Sequence, residues 1–337
     1  MVELTGFWAA AARIGAGLDY SMMAAAMGGY AALERADANE LEAVGVPRRI
    51  AQTWYEQPAI DVGWNYVTLA DNDYPSGIKA LPDAPPVIFY EGDLSIVCRP
   101  SISIVGTRQC TAYGVGVTRH LSGNLAASGV VVVSGLARGI DTHAHTATLG
   151  CGATVAVLGH GLGYTAPASN RTLRKKIVSS GGLILSTWMD DVQPRPFRFP
   201  QRNRWIAALG VVVVVVEAAA KSGAKITAEQ AWSMGKQVVA VPGAMGEPAS
   251  RGCLDLIRMG ADIMTSVDEF VRQFGGSTVF VEDWKELLFL GRSVTDVARV
   301  TGRSVTELFC VLAKAEASGE VVRLPGQRYS RGIGSKQ

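Results

Sequence analysis

Six short apolar runs recur along the middle of the chain, and most are separated by stretches with the composition of a helix. The runs occupy residues 101–105, 130–133, 154–158, 182–185, 211–216 and 238–241, and the helical stretches include 113–127, 169–180 and 224–235. Runs that are apolar on both faces and alternate with helices are typical of a parallel sheet covered on both sides. The pattern therefore predicts an α/β fold with a doubly wound, Rossmann-like parallel sheet.

The two flanks have different patterns and predict two smaller domains. Residues 1–70 are rich in Ala, Leu and Met and are broken by glycine turns, which indicates a small helical module of the SAM-like or helix-hairpin type. Residues 71–275 then form the Rossmann-like domain, which opens with a proline-rich connector (74–93) that ends in a short strand. Residues 280–337 give two helices followed by two short strands, the pattern of a winged-helix domain.

The composition is that of a globular protein with a substantial core, since 48% of the residues are hydrophobic and 18% are charged. The apolar runs are too short to span a bilayer, and the amino terminus lacks the basic region of a signal peptide. Five scattered cysteines show neither paired spacing nor a zinc pattern. We expect a cytoplasmic protein with reduced thiols, no metal and no membrane segment.

The net charge of +2 hides an uneven distribution. Residues 1–100 contain 6 of the 32 Lys and Arg residues but 13 of the 30 Asp and Glu residues, so the remainder has 26 basic and 17 acidic residues. The excess of basic residues after residue 100, next to an acidic amino-terminal part, indicates a polyanionic partner for residues 101–337.

Glycine and arginine residues concentrate where the predicted strands end. Gly106 and Arg108 follow the first run, Arg138 follows the second, and Ser222 and Gly223 follow the fifth. Ligands of open parallel sheets bind outside the carboxyl ends of the strands, where glycine permits close approach and the following helix start favours an anion. A lone glycine there is better explained by a tight turn, but the combination with the arginines predicts an anion site at one edge of the sheet.

The segment FRFPQRNRWIAAL, directly before the run of six valines, is the most basic part of this region. Pro200 suits the first turn of a helix, which places Arg202, Asn203 and Arg204 in or near that turn. Cations there oppose the helix dipole by about 0.3–1 kcal/mol each, whereas a bound anion reverses the effect. One of the arginines is equally explained by a buried acid such as Glu217, but the cluster favours a phosphate-binding role.

Several catalytic and cofactor motifs are absent from the sequence. It has no Walker motif, no complete dinucleotide fingerprint, no nucleophile elbow and no HExxH metal motif. Asp141 is expected to be a helix N-cap, and His143 and His145 are expected to be ordinary helix residues. We therefore expect a protein that uses no cofactor and is not an enzyme.

The ordered motifs SIVGTR, SGLARGIDTHAH, AVLGHGL, FPQRNRWIAAL, VVVEAAAKSGAKITAEQA and VAVPGAMGEPASRGCLDLIRMGA resemble those of the DNA-processing protein A family (DprA, also called Smf). The similarity is dense over residues 74–270 and loose over both flanks. It implies a protein that binds and protects incoming single-stranded DNA, forms a homodimer through the Rossmann-like domain and loads the RecA recombinase during natural transformation. The sequence departs from the pattern of the family at Thr165-Ala166-Pro167 and at Ser186-Thr187-Trp188.

Matching the motifs of this family residue by residue implies a strand-binding pocket. Its residues would be Arg108, Ser134, Gly135, Arg138, Gly139, Phe199, Arg202, Asn203 and Arg204, with Lys175 in the basic segment NRTLRKK. Phosphates would be held by arginines and helix N-termini with little sequence preference. Phe199 would either stack on a base or anchor the loop in the core.

Two other functions remain open from the sequence. The sheet also resembles that of the lysine-decarboxylase-like nucleotide phosphoribohydrolases, with Glu217 as the acid, although their PGGxGT signature is absent. The third hypothesis is a nucleotide-sensing regulator whose winged helix is the output domain.

Overall fold

The computed structural model describes residues 3–14, 18–275, 294, 297, 305–318, 321–324 and 328–331. Within this part of the chain, nine strands form one sheet in the order β11-β10-β9-β5-β6-β7-β8-β4-β3. The strands are β3 (Asn65–Thr68), β4 (Val87–Gly92), β5 (Ser101–Val105), β6 (Val131–Ser134), β7 (Thr154–Val157), β8 (Leu183–Ser186), β9 (Val212–Val215), β10 (Gln237–Ala240) and β11 (Asp262–Ile263).

The seven strands from β5 to β11 are parallel, while β4 pairs antiparallel with β8 and β3 pairs antiparallel with β4. The predicted doubly wound sheet is confirmed, and the six apolar runs match β5 to β10 within two residues at each end. The strand β3 was not predicted. It lies on the amino-terminal side of the expected boundary at residue 70, yet it belongs to the central sheet.

Helices cover both faces of the sheet. Between the strands lie α6 (Ser76–Lys79), α7 (Ala112–Ala127), α8 (Ile140–Thr148), α9 (Arg171–Ser179), α10 (Arg198–Leu209), α11 (Gly223–Ser233) and α12 (Arg251–Arg258), and α13 (Val267–Gly275) follows the last strand. The valine run of β9 explains why both faces must be covered. Val212 and Val214 pack in the cluster that contains side chains of α7, α8 and α13, whereas Val213 and Val215 pack in the cluster that contains those of α10 and α11. Alternation along the strand buries every one of these side chains.

The described residues of the amino-terminal region form five helices, α1 (Gly6–Ile14), α2 (Tyr20–Met27), α3 (Tyr30–Arg35), α4 (Ala38–Ala43) and α5 (Arg48–Glu56), and two short strands. Asp37 and Glu40 form a capping box at the start of α4, and Gly28 ends α2 with a φ of 86°. The strands β1 (Glu3–Leu4) and β2 (Ile60–Asp61) pair antiparallel beside these helices. The core of this region is continuous with the core on one face of the central sheet.

The carboxyl-terminal region is described only in part, as helix α14 (Val305–Ala317) and the antiparallel strands β12 (Val321–Leu324) and β13 (Arg328–Arg331). The winged helix expected over 280–337 is not confirmed and stays a prediction, because most of that range lies outside the described residues. None of the helices in the described part of the chain combines the length and the apolar character needed to cross a bilayer.

Candidate functional site

A cavity of about 530 Å³ lies at the carboxyl ends of β5 and β9. These neighbouring strands mark the point where the strand order reverses, because the chain proceeds from β5 to β6, β7 and β8 on one side and from β9 to β10 and β11 on the other. Such a switch point is where doubly wound sheets bind ligands. The walls are formed by Val105, Gly106, Thr107, Arg108, Gln109, Ala137, Asp141, Pro196, Phe199, Pro200, Arg202, Asn203, Ile206, Ala219, Lys221, Ser222, Gly223, Ala224 and Thr227. We call this cavity the switch-point pocket.

The charged groups of the switch-point pocket are mostly basic. Arg108 and Lys221 are exposed on its walls, Arg202 is buried, and Asp141 is the acidic group among the lining residues. The N-terminus of α11 adds the partial positive charge of a helix start, and Ser222 caps this helix by accepting a hydrogen bond from the Ala224 N–H at 3.2 Å. The pocket thus offers an anion two accessible cations and a helix terminus.

The loop that carries Arg108 is fixed by tight backbone packing. The Thr107 N–H donates to the Glu217 carbonyl oxygen at 2.7 Å, and the Ile140 N–H donates to the Thr107 carbonyl oxygen at 3.2 Å. Gly139 has a φ of 75°, and a β-carbon on it would lie 2.8 Å from the Arg108 Cα. The loops that carry Arg108 and Arg138 are therefore in direct contact, as expected for neighbouring strand ends.

The loop after β6 contains a strained residue. Leu136 is buried and has a φ of 55°, a left-handed conformation that non-glycine residues rarely adopt. Its N–H donates to His145 Nε2 at 3.3 Å, and its carbonyl oxygen accepts from Asn170 Nδ2 at 3.0 Å. His145 Nδ1 lies 2.8 Å from Thr154 Oγ1, and burial lowers the pKa of His145 to about 3. A neutral histidine therefore holds this loop, which is a structural role.

Arg202 is not available to a ligand in the way that the sequence suggested. Its side chain is only 3% exposed, and its Nη1 donates to the carbonyl oxygens of Gly135, at 2.6 Å, and Val157. The helix α10 begins at Arg198, so Pro200 lies in its first turn as its third residue, and Arg202 is the fifth residue, just beyond that turn. Burial lowers the pKa of Arg202 to about 10, and the nearby Asp141 opposes that shift. Arg202 remains charged at neutral pH, but it holds the ends of two strands.

Arg204 also has an internal partner, which corrects the expectation that it faces an anion. Its Nη1 and Nη2 donate to the two carboxylate oxygens of Asp83, and its guanidinium lies 5.0 Å from the centre of the Trp205 ring. Arg204 does not line the switch-point pocket. The acid that pairs with this arginine is thus Asp83 of the proline-rich connector, not Glu217.

Glu217 binds Thr111, the N-cap residue of α7, and does not line the switch-point pocket. Its Oε2 accepts from the Thr111 N–H at 2.9 Å and its Oε1 accepts from Thr111 Oγ1 at 2.5 Å, just before α7 begins. The carboxylate is buried against Gly114, where a β-carbon would overlap it. This placement removes the acid on which the phosphoribohydrolase hypothesis depended.

Asp141 is not the N-cap that the sequence suggested, because Gly139 occupies that position and Asp141 lies inside α8. It accepts from the Ala137 N–H at 3.3 Å. Burial raises its pKa, and the charge of Arg202 and the hydrogen bond from the Ala137 N–H oppose the rise. Asp141 thus stabilises the loop after β6 through its hydrogen bond with Ala137.

The structure divides the predicted site residues into two groups. Those that line the switch-point pocket are Gly106, Arg108, Phe199, Arg202, Asn203, Ser222 and Gly223; those that do not are Ser134, Gly135, Arg138, Gly139, Lys175 and Arg204. Ser134 is buried and donates to the Ile104 carbonyl oxygen at 2.7 Å, while Arg138 and Lys175 are exposed on neighbouring segments. Lys221 was missed, although its position directly before Ser222 in a strand-end loop was a usable signal.

The fold and the switch-point pocket place the chain among doubly wound α/β proteins whose ligand crevice carries basic side chains. The model of the family described as DNA recombination-mediator protein A matches residues 65–275. The chain belongs to this family, which confirms the resemblance inferred from the motifs.

Curated relatives and solved structures agree with this assignment. The chain is 34% identical to the protein Smf of Escherichia coli over 296 residues, which is 81% of this chain and 78% of Smf. It is 33% identical to the DNA processing protein DprA of Bacillus subtilis over 72% of this chain and 83% of the relative. The X-ray structure of DprA from Streptococcus pneumoniae matches with a TM-score of 0.70 and 32% identity, covering 81% of this chain and 99% of that one.

A second solved structure is relevant to the ligand. It is described as giving insight into the single-stranded DNA binding mode of DNA processing protein A from Helicobacter pylori. It matches with a TM-score of 0.57 and 30% identity, and it covers 63% of this chain and 97% of that chain.

Proposed function

We propose that this protein binds single-stranded DNA through the switch-point pocket and acts in DNA recombination and transformation without catalytic turnover. The observation that carries the proposal is the exposure of Arg108 and Lys221 on the walls of one concave pocket, beside the N-terminus of α11. These groups suit successive phosphates of a nucleic-acid backbone. The single-stranded DNA binding of the Helicobacter pylori relative supports the same ligand for this chain.

A flexible single strand suits the pocket better than a duplex does. The basic groups line the walls of a cavity of about 530 Å³, so the backbone must bend inward to reach them. A single strand bends readily, whereas a duplex is stiff on this scale. Exposed Arg138 and Lys175 on the neighbouring loop and on α9 provide further phosphate contacts outside the pocket.

The test is a fluorescence-anisotropy titration of the full chain with labelled single-stranded and double-stranded oligonucleotides of equal length at several salt concentrations. We expect tighter binding of the single strand, with an affinity that falls steeply as salt rises. Equal affinity for both forms, or no binding of either form at low salt, would contradict the proposal.

Three further properties belong to this proposal. We expect the protein to act in the cytoplasm, to form a homodimer through the Rossmann-like domain and to transfer its DNA to RecA. Sedimentation of the full chain over a range of concentrations tests the dimer, and a monomer throughout would contradict it. Formation of RecA filaments on a pre-coated strand, measured with and without the protein, tests the transfer to RecA.

A further inference from the structure

An exposed aromatic ring belongs to the residue that follows Pro196, one of the residues lining the switch-point pocket. Phe197 is the N-cap residue of α10 and follows Pro196, which lines the pocket. Its side chain is 56% exposed. A lone exposed apolar side chain is common on protein surfaces, so the inference rests on the place of this ring next to the pocket and on its fixed orientation. The fold gives no reason for a phenylalanine here, because the ring is not part of either core cluster.

The ring of Phe197 is supported from one side by a fixed cation. The Arg198 guanidinium carbon lies 5.2 Å from the centre of the ring, within the range of a cation–π contact. Arg198 Nη1 in turn donates to the Gln193 carbonyl oxygen, which anchors the guanidinium to the loop before the helix. The ring is therefore held in place while more than half of its side-chain surface faces solvent.

Phe199, the aromatic residue predicted to stack on a base, already has contacts on its ring. The Arg108 guanidinium carbon lies 5.4 Å from its centre. Gly159 packs against the ring so closely that a β-carbon there would lie 2.9 Å from Phe199 Cδ1. Phe199 is half-buried and positions Arg108, which leaves Phe197 as the exposed ring of this segment.

We propose that Phe197, supported by Arg198, is a stacking platform for one unpaired nucleobase of the strand whose phosphates occupy the switch-point pocket. Every base has an apolar face, so the platform binds without strong sequence preference. The supporting guanidinium also carries a positive charge close to the adjacent phosphate. This inference rests on the proposed function and adds a base contact to a site otherwise built from phosphate contacts.

The test compares four forms of the full chain, which are the wild type and the variants Phe197→Ala, Phe197→Leu and Phe197→Tyr. Each is titrated with a labelled thymidine oligonucleotide and with a strand of the same length made of abasic sugar-phosphate units. We expect Phe197→Ala to weaken binding of the base-bearing strand by roughly five- to a hundredfold. For the thymidine strand, Phe197→Leu should lose most of the affinity that Phe197→Ala loses, because leucine has no ring to stack, and Phe197→Tyr should bind as the wild type does. All four forms should bind the abasic strand equally.

The outcomes separate this inference from the proposed function. If the wild type binds single strands but Phe197→Ala binds the thymidine strand equally well, the platform is wrong and the proposed function stands. Equal losses on the thymidine and abasic strands would also overturn the platform, since they indicate a structural defect. A wild type that binds neither strand contradicts the proposed function itself. The variant Phe197→Trp adds a direct readout. Stacking of its indole on a base should quench tryptophan fluorescence when the strand is added, and this decrease should be larger than the one that the wild type shows on adding the same strand.

Discussion

The guanidinium of Arg202 occupies the space that a side chain at position 135 would fill. A β-carbon on Gly135 would lie 2.5 Å from Arg202 Nη2 and 2.6 Å from its Cζ and Nη1. The Gly135 carbonyl oxygen meanwhile accepts a hydrogen bond from Arg202 Nη1 at 2.6 Å. Glycine at position 135 therefore leaves room for the buried guanidinium of Arg202, whose hydrogen bond joins α10 to the end of β6.

Gly135→Ala is expected to destabilise the protein, because the added methyl group must displace a buried, hydrogen-bonded guanidinium. Overpacking of this kind costs roughly 1–3 kcal/mol in the free energy of unfolding, which urea denaturation measures. Gly116→Ala is the matched control, since a β-carbon on this exposed residue of α7 would meet nothing within 4 Å. It should instead stabilise the protein by about 0.5–1 kcal/mol, through the better helix propensity of alanine. Equal effects at the two positions would contradict the arrangement.

Arg204 and Asp83 are expected to be coupled in stability. The pair joins α10 to the proline-rich connector by two hydrogen bonds. A double-mutant cycle with Arg204→Ala and Asp83→Ala should give a coupling free energy of about 1–2 kcal/mol in urea unfolding. Additive effects of the two substitutions would show that the ion pair contributes nothing. Arg204→Ala should leave the salt dependence of single-strand binding unchanged, because the charge of this arginine is already paired with that of Asp83.

Arg108 and Lys221 are expected to contact phosphate directly. Arg108→Ala and Lys221→Ala should each weaken single-strand binding and lower the slope of log affinity against log salt by about 0.7. Arg49→Ala removes the same charge from an exposed position on α5 and serves as the control. A slope that falls equally in the control would mean that overall charge, not the switch-point pocket, governs binding.

Stability is expected to fall in mild acid because of His145. Burial lowers the pKa of its imidazole from 6.5 to about 3, so below pH 6.5 the unfolded chain takes up a proton that the folded chain does not bind. The free energy of unfolding then decreases as pH falls, by up to about 1.4 kcal/mol per pH unit. Asp141 contributes with the opposite sign, because burial raises its pKa. The difference between wild type and His145→Gln, measured by urea unfolding from pH 7 to pH 5, isolates the histidine. A constant difference would contradict the prediction.

The sequence predicted the parallel strands β5 to β10 well because each of them carries its own apolar signal. The six valines of 211–216 can be buried only on two covered faces, and the glycines at strand ends follow from local geometry. The partners of the arginines carry no such signal. Asp83 lies 121 residues from Arg204, and Arg202 bonds to carbonyl groups of Gly135 and Val157, which every residue possesses. From sequence alone, an arginine beside a strand is therefore interpreted as a ligand contact, because its long-range partners within the protein are not visible.

The strained backbone of Leu136 has a consequence for the energetics of binding. Such a conformation costs about 1–3 kcal/mol, and here His145 and Asn170 maintain it through fixed hydrogen bonds. That cost is met during folding, so the loop that ends at Arg138 is already ordered when DNA arrives. With the phosphate contact that we propose for Arg138, little conformational entropy would be lost at this loop on association, and the loop would exchange one strand for the next without rearranging.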